Sequence, residues 1–107
     1  MASSKSGNLA DRMKHLLGTA KLADAHFLVG DGDGKELLSA HKGILVSASD
    51  VFEAMFRFDS QNGKAENVPD VEAEAFKVML SFIYADDLSE LDGENAMAVL
   101  YTLVEIF

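Results

Sequence analysis

The sequence predicts an α+β fold, and three observations carry that prediction. Two short runs, Ala25-His26-Phe27-Leu28-Val29 and Glu36-Leu37-Leu38-Ser39-Ala40, flank Gly30-Asp31-Gly32-Asp33-Gly34 and read as two strands joined by a turn that needs φ > 0 residues. Elsewhere apolar residues recur at the i, i+3, i+4, i+7 spacing of amphipathic helices. Between these, the stretch from Ala40 to Phe58 breaks at Ser47-Ala48-Ser49 into two short apolar helices. Helices that short are unstable alone and must be covered by the rest of the chain.

The elements follow in order. Residues 1–8 are rich in Ser, Lys and Gly and read as a flexible tail. Leu9, Met13, Leu16 and Leu17 then fall at i, i+4, i+7, i+8 on a short amphipathic helix ending near Gly18. This helix must lie on something, either its own domain or a second copy. After the hairpin, Ile44 and Leu45 face inward from the first short helix. Val51, Phe52, Met55 and Phe56 form the apolar face of the second, for which Asp50 and Glu53 have the spacing of an N-cap and its N3 partner. A polar loop follows over 59–64. Asn67 and Val68 are extended before Pro69, and Asp70 is placed to cap a helix carrying Glu72 and Glu74 in its first turn. Phe76, Met79, Leu80 and Ile83 give that helix its core face, and Tyr84 closes it. An acidic connection over 86–94 leads to a last helix whose apolar face is read as Met97, Leu100, Tyr101 and Val104. That pattern is still running at Phe107, which implies a following segment.

Composition bounds the function. Hydrophobic residues make up 49% and charged residues 25%, as in a globular domain. The net charge of −9 argues against nucleic-acid or anionic-membrane binding. No run approaches the about 18 apolar residues of a membrane helix, and the polar start is no signal peptide, so an intracellular, cytoplasmic or nuclear protein is expected. The chain has no cysteine and three scattered histidines, which make no metal-ligand set. The Asp31/Asp33 alternation lacks a calcium loop's acidic positions, because Lys35 and Lys42 stand there. No cofactor or metal is expected. Nor is an enzyme: His41, Ser39 and Ser47 with Asp24 or Asp50 supply the letters of a triad, but there is no Gly-x-Ser-x-Gly elbow and the serines sit at turn and cap positions. His41 is expected to be a structural hydrogen-bonding residue.

Taken together, Asp24-Ala25-His26-Phe27, Ala40-His41-Lys42 with Leu45, Ser49-Asp50-Val51-Phe52-Glu53-Ala54-Met55-Phe56, Pro69-Asp70-Val71 with Ala75-Phe76, Met79-Leu80 and Phe82-Ile83-Tyr84 resemble the BTB/POZ domain in order and spacing. The resemblance implies a domain over 9–107 with a small mixed β-sheet covered by a cluster of short helices. It further implies a homodimer in which the N-terminal helix of long-form members, here Leu9, Met13, Leu16 and Leu17, packs across the partner. Asp24 and Lys42 would share a charged pocket beside that interface. As an adaptor, the domain would link a substrate-recruiting protein to a cullin-3 ubiquitin ligase. The surface facing the cullin would be Phe56, Phe58, Asp59, Tyr84 and Ala85, with Phe58 as a candidate anchor. The chain departs from many cullin binders, which carry an apolar residue, any residue, then Glu: here Phe58-Asp59 is followed by Ser60. The alternative is a transcriptional regulator whose dimer groove binds corepressor peptides.

Overall fold

The computed structural model describes residues 7–30, 32–58 and 65–106, the side chains of 58 and 103–106 excepted. Among these residues five helices and three strands follow one another as α1 (Leu9–Thr19), β1 (Ala25–Val29), β2 (Glu36–Ala40), α2 (Lys42–Ala48), α3 (Asp50–Phe58), β3 (Glu66–Val68), α4 (Ala73–Ala85) and α5 (Ala96–Ile106). The strands form one mixed sheet in the order β2-β1-β3. β2 runs antiparallel to β1, with Phe27 opposite Leu38, and β3 runs parallel to it, with Phe27 beside Glu66. This is the α+β arrangement expected from the sequence, with both hairpin strands at their predicted limits.

Between β1 and β2 the chain turns through Gly30 at φ 101° and one 3₁₀ turn over Gly32–Gly34. Gly30 is required twice over: its φ disfavours any side chain, and a Cβ there would stand 2.9 Å from the Gly34 carbonyl oxygen. The link from α1 to β1 passes through two left-handed non-glycine residues, Ala20 and Leu22. Leu22 is 89% exposed, so nothing apolar rewards its backbone strain.

The alternation along β1 turns Ala25, Phe27 and Val29 inward. Phe27 is fully buried and meets the rings of Phe76, Phe52 and Phe56 at centroid distances of 5.2, 5.7 and 6.3 Å. Phe52 and Phe56 stack at 6.0 Å. Leu45, Met79, Leu80 and Tyr84 complete this core, and Met13, Leu16 and Leu17 of α1 pack on its flank. A smaller cluster of Ala75, Val78 and Val99 joins α4 to α5.

Three local expectations are corrected. α3 is capped by Ser49 rather than Asp50. The Ser49 hydroxyl accepts the Val51 and Phe52 amides at 3.2 and 3.4 Å, which leaves Asp50 as the first helical residue. Asp70 does not cap α4, because that helix begins two residues later than predicted, with Glu72 at the cap and no side-chain cap bond. Most consequentially, α5 is turned over. Met97, Leu100 and Tyr101 are exposed, Met97 by 75%, while Asn95, Val99 and Thr102 are buried. The inward face can hold polar residues because they are satisfied locally. Thr102 Oγ1 donates to the Ala98 carbonyl at 2.8 Å, and Asn95 exchanges hydrogen bonds with Asp92 at 2.8 and 2.9 Å. The side chain of Val104 lies outside the described residues.

Because three rings converge on one side chain, Phe27→Ala is expected to cost about 3–5 kcal/mol, read as a lowered denaturation midpoint with an unchanged urea slope.

Candidate functional site

Helix α1 leaves its apolar stripe half covered. It is well started, since Asn8 Oδ1 accepts the Asp11 amide at 2.8 Å, and it ends on Ala20, whose N–H returns to the Leu16 carbonyl. None of its residues is buried. Met13, Leu16 and Leu17 rest partly buried on the core of their own chain, and Leu9 is 63% exposed. Lys14 pairs with Asp87 at 3.2 Å and so ties α1 to the connection after α4. Hydrogen bonds from Ser89 and the neighbouring Lys14 ammonium hold the Asp87 carboxyl below the usual aspartate range.

Behind α1, His41 joins three segments. Its backbone N–H donates to the Tyr84 hydroxyl at 2.8 Å, and its Nδ1 lies 2.7 Å from the same oxygen. Its Nε2 lies 2.6 Å from the Lys21 carbonyl. The pattern is complete for a neutral imidazole: the tyrosine accepts the amide and donates to Nδ1, and Nε2–H donates to Lys21. One side chain thus holds the exit from α1, the start of α2 and the end of α4. Burial is the main reason that the Tyr84 hydroxyl is pushed up to about 12. The His41 hydrogen bond opposes the shift and the Asp24 charge adds to it.

Asp24 and Lys42 do come together, through different atoms from those expected. Asp24 Oδ1 accepts the Lys42 backbone N–H at 2.7 Å, which caps α2 where the N-cap residue His41 makes no side-chain cap bond. The Lys42 ammonium makes no ion pair with Asp24 and lies over the Phe56 ring, 5.5 Å from its centroid. The reason is geometric: the aspartate is occupied by the amide, and the long lysine stem reaches the π face of α3.

Of the surface the resemblance assigned to a cullin, Phe56 and Ala85 are half-buried and Tyr84 is buried, its hydroxyl taken by His41. The Lys42 ammonium lies over the face of the Phe56 ring. The Phe58 side chain and Asp59 lie outside the described residues. Sequence reasoning missed the exposed apolar groups Leu22, Leu37, Met97 and Leu100. For Leu37 a signal was available, because strand alternation places it opposite Leu38, which faces the core.

The sequence model of the BTB/POZ domain matches residues 13–107. The chain belongs to the BTB/POZ family. It is 37% identical over 94 residues to BTB/POZ domain-containing protein 6-B of Danio rerio, covering 87% of this chain and 19% of that protein. With BTB/POZ domain-containing protein 6 of Homo sapiens the identity is 36% over 94 residues, covering 87% of this chain and 17% of the relative. With BTB/POZ domain-containing protein 3 of Homo sapiens it is 42% over 81 residues, 75% of this chain and 15% of that protein. The chain therefore spans under a fifth of the length of these relatives. BTB/POZ domains are protein–protein interaction modules, and this chain is one by membership. Among the described residues no helix is long and apolar enough to cross a membrane, and no group of three acidic or histidine side chains is placed to hold a metal ion.

Two outcomes are expected at this BTB site. Tyr84→Phe leaves the His41 amide and Nδ1 without a partner and should cost about 1–3 kcal/mol, measured by thermal unfolding. Acid should loosen the Asp87–Ser89 turn and, through Lys14, the hold on α1. The folded state binds the Asp87 proton less tightly than the unfolded state, so its contribution is full above the usual aspartate pKa and is lost as pH falls through the lowered one. Amide exchange in α1 should rise in that window, and Lys14→Ala should reduce the pH dependence.

Proposed function

We propose that this domain is a homodimerising adaptor that joins a substrate-recruiting protein to a cullin-3 ubiquitin ligase. The observation that carries the dimer is α1: an apolar stripe with no fully buried residue and Leu9 at 63% exposure, on a helix held in place by Lys14–Asp87 and His41. A second copy covering Leu9, Met13, Leu16 and Leu17 across a two-fold axis buries that stripe at both ends. Cullin-3 engages the end of α3 and the Tyr84–Ala85 end of α4, with Phe58 as anchor. Family membership and the partial exposure of Phe56 support this, and Ser60 in place of the acid of many cullin binders weighs against it.

That departure favours one second reading, a BTB domain of a transcriptional regulator whose dimer groove binds corepressor peptides. The domain acts in the cytoplasm on the first reading and in the nucleus on the second. Neither assigns catalysis, a cofactor or nucleic-acid binding to it.

Light scattering after size exclusion should give the mass of a dimer at micromolar concentration, reduced to that of one chain by Leu9→Lys. The N-terminal region of cullin-3 should be retained by the immobilised domain and released by Phe58→Ala. A monomer sinks the dimer, and retention indifferent to Phe58→Ala sinks the cullin assignment. A dimer that ignores cullin-3 leaves the corepressor reading standing.

A further inference from the structure

β2 ends the sheet, and the registers fix which of its groups face outward. The Gly30 N–H donates to the Val68 carbonyl, so in the parallel ladder the even residues of β1, His26 and Leu28, turn their backbone groups toward β3. Ala25, Phe27 and Val29 turn theirs toward Ala40, Leu38 and Glu36 of β2. Leu37 and Ser39 therefore direct N–H and C=O away from the sheet. Natural edges are usually blunted by proline, bulges or free charge. This one has no proline, its single charge, Glu36, is paired with Lys77, and Leu37 is 60% exposed.

Beside the edge lies a groove of about 380 Å³ between β2, the end of α1 and α4, walled by Leu17, Ala20, Leu38 and Leu80. It meets a second hollow of about 410 Å³ through the shared residues Lys77 and Ser81. There Glu36, Glu74 and Glu90 face a single cation, Lys77, which Glu36 already holds. Glu74 and Glu90 make no ion pair among the described residues.

We propose that the β2 edge takes an extended, cationic peptide segment of a partner protein as a fourth strand. The Leu37 and Ser39 backbone groups hold its main chain, the Ala20–Leu38–Leu80 part of the groove takes an apolar side chain, and Glu74 with Glu90 takes a lysine or arginine. The spacing is set by β2 itself. The groove opens beside Leu38 and the acidic hollow beside Glu36, two residues apart on one face, so the two peptide side chains also stand two residues apart. In the antiparallel arrangement, the more stable per residue, the recognised order is apolar, any residue, basic. A second copy of this chain could reach the same edge, but its own β2, Glu36-Leu37-Leu38-Ser39-Ala40, brings no lysine or arginine to the acidic hollow.

The test is fluorescence anisotropy with a short labelled threonine-rich peptide carrying Leu-Thr-Lys, against one carrying Leu-Thr-Glu and against the lysine peptide N-methylated on alternate amides. The lysine peptide should bind, and the other two about tenfold or more weakly. Leu37→Pro removes an N–H that no ladder bond uses and should abolish binding with the circular dichroism spectrum unchanged. Glu74→Lys with Glu90→Lys should reverse the preference between the two peptides. No binding of the lysine peptide at millimolar concentration, equal binding of the lysine and glutamate peptides, or full binding of the N-methylated one overturns the proposal. Self-association in sedimentation that Leu37→Pro dissolves also overturns it, and assigns the edge to a second copy.

Discussion

Phe27 is the residue on which the fold converges. It sits in the middle strand, is fully buried, and meets one ring from α4 and two from α3. Those contacts decide how the helices stand. α3 must present Phe52 and Phe56 on one face, and α4 must present Phe76 to the same point, so two helices distant in sequence share an anchor. Aromatic pairs contribute about 0.5–1.5 kcal/mol beyond their buried area, and here three of them use the same ring. The short helix α3, too brief to persist alone, is fixed by this cluster, and α2 by Leu45 in the core around it.

A polar arrangement complements the aromatic one on the flank where α1 joins the domain. Tyr84 belongs to the core through its ring and to His41 through its hydroxyl, and His41 reaches on to Lys21. Asp24, beside these groups, caps α2. The backbone of the α1–β1 link is thus held by the His41 side chain, itself positioned by Tyr84 of α4, and the interface proposed for α1 rests on a positioned helix rather than a loose arm. The pairing of Lys14 with Asp87 acts in the same direction from the outer side.

Much of this was legible in the sequence, for identifiable reasons. The hairpin strands could be placed because five-residue apolar runs flank a glycine-rich turn, and α4 because Phe76, Met79 and Leu80 keep helical spacing. The role of His41 could be narrowed by elimination, but its partners lie 20 and 43 residues away, where no local pattern reaches. The caps went astray because Ser49 and Asp50 are both good capping residues in adjacent positions, and only the backbone chooses between them. Helix α5 misled more deeply. Asn95, Ala98, Val99 and Thr102 have the same spacing as Met97, Leu100, Tyr101 and Val104, and hydrophobicity alone selects the second set. What selects the first is the local hydrogen bonding of Asn95 and Thr102, together with the fit of small side chains against Ala75 and Val78 of α4.

The parallel pairing of β3 with β1 has a kinetic consequence. β1 and β2 are neighbours in the chain and can zip together early, whereas β3 closes a loop of nearly forty residues for a ladder only three residues long. Most of the entropy of that closure is lost before its few hydrogen bonds are formed, so the third strand is a late arrival at the transition state. Substitutions within Glu66–Val68 accordingly act on how fast the native domain opens more than on how fast it assembles.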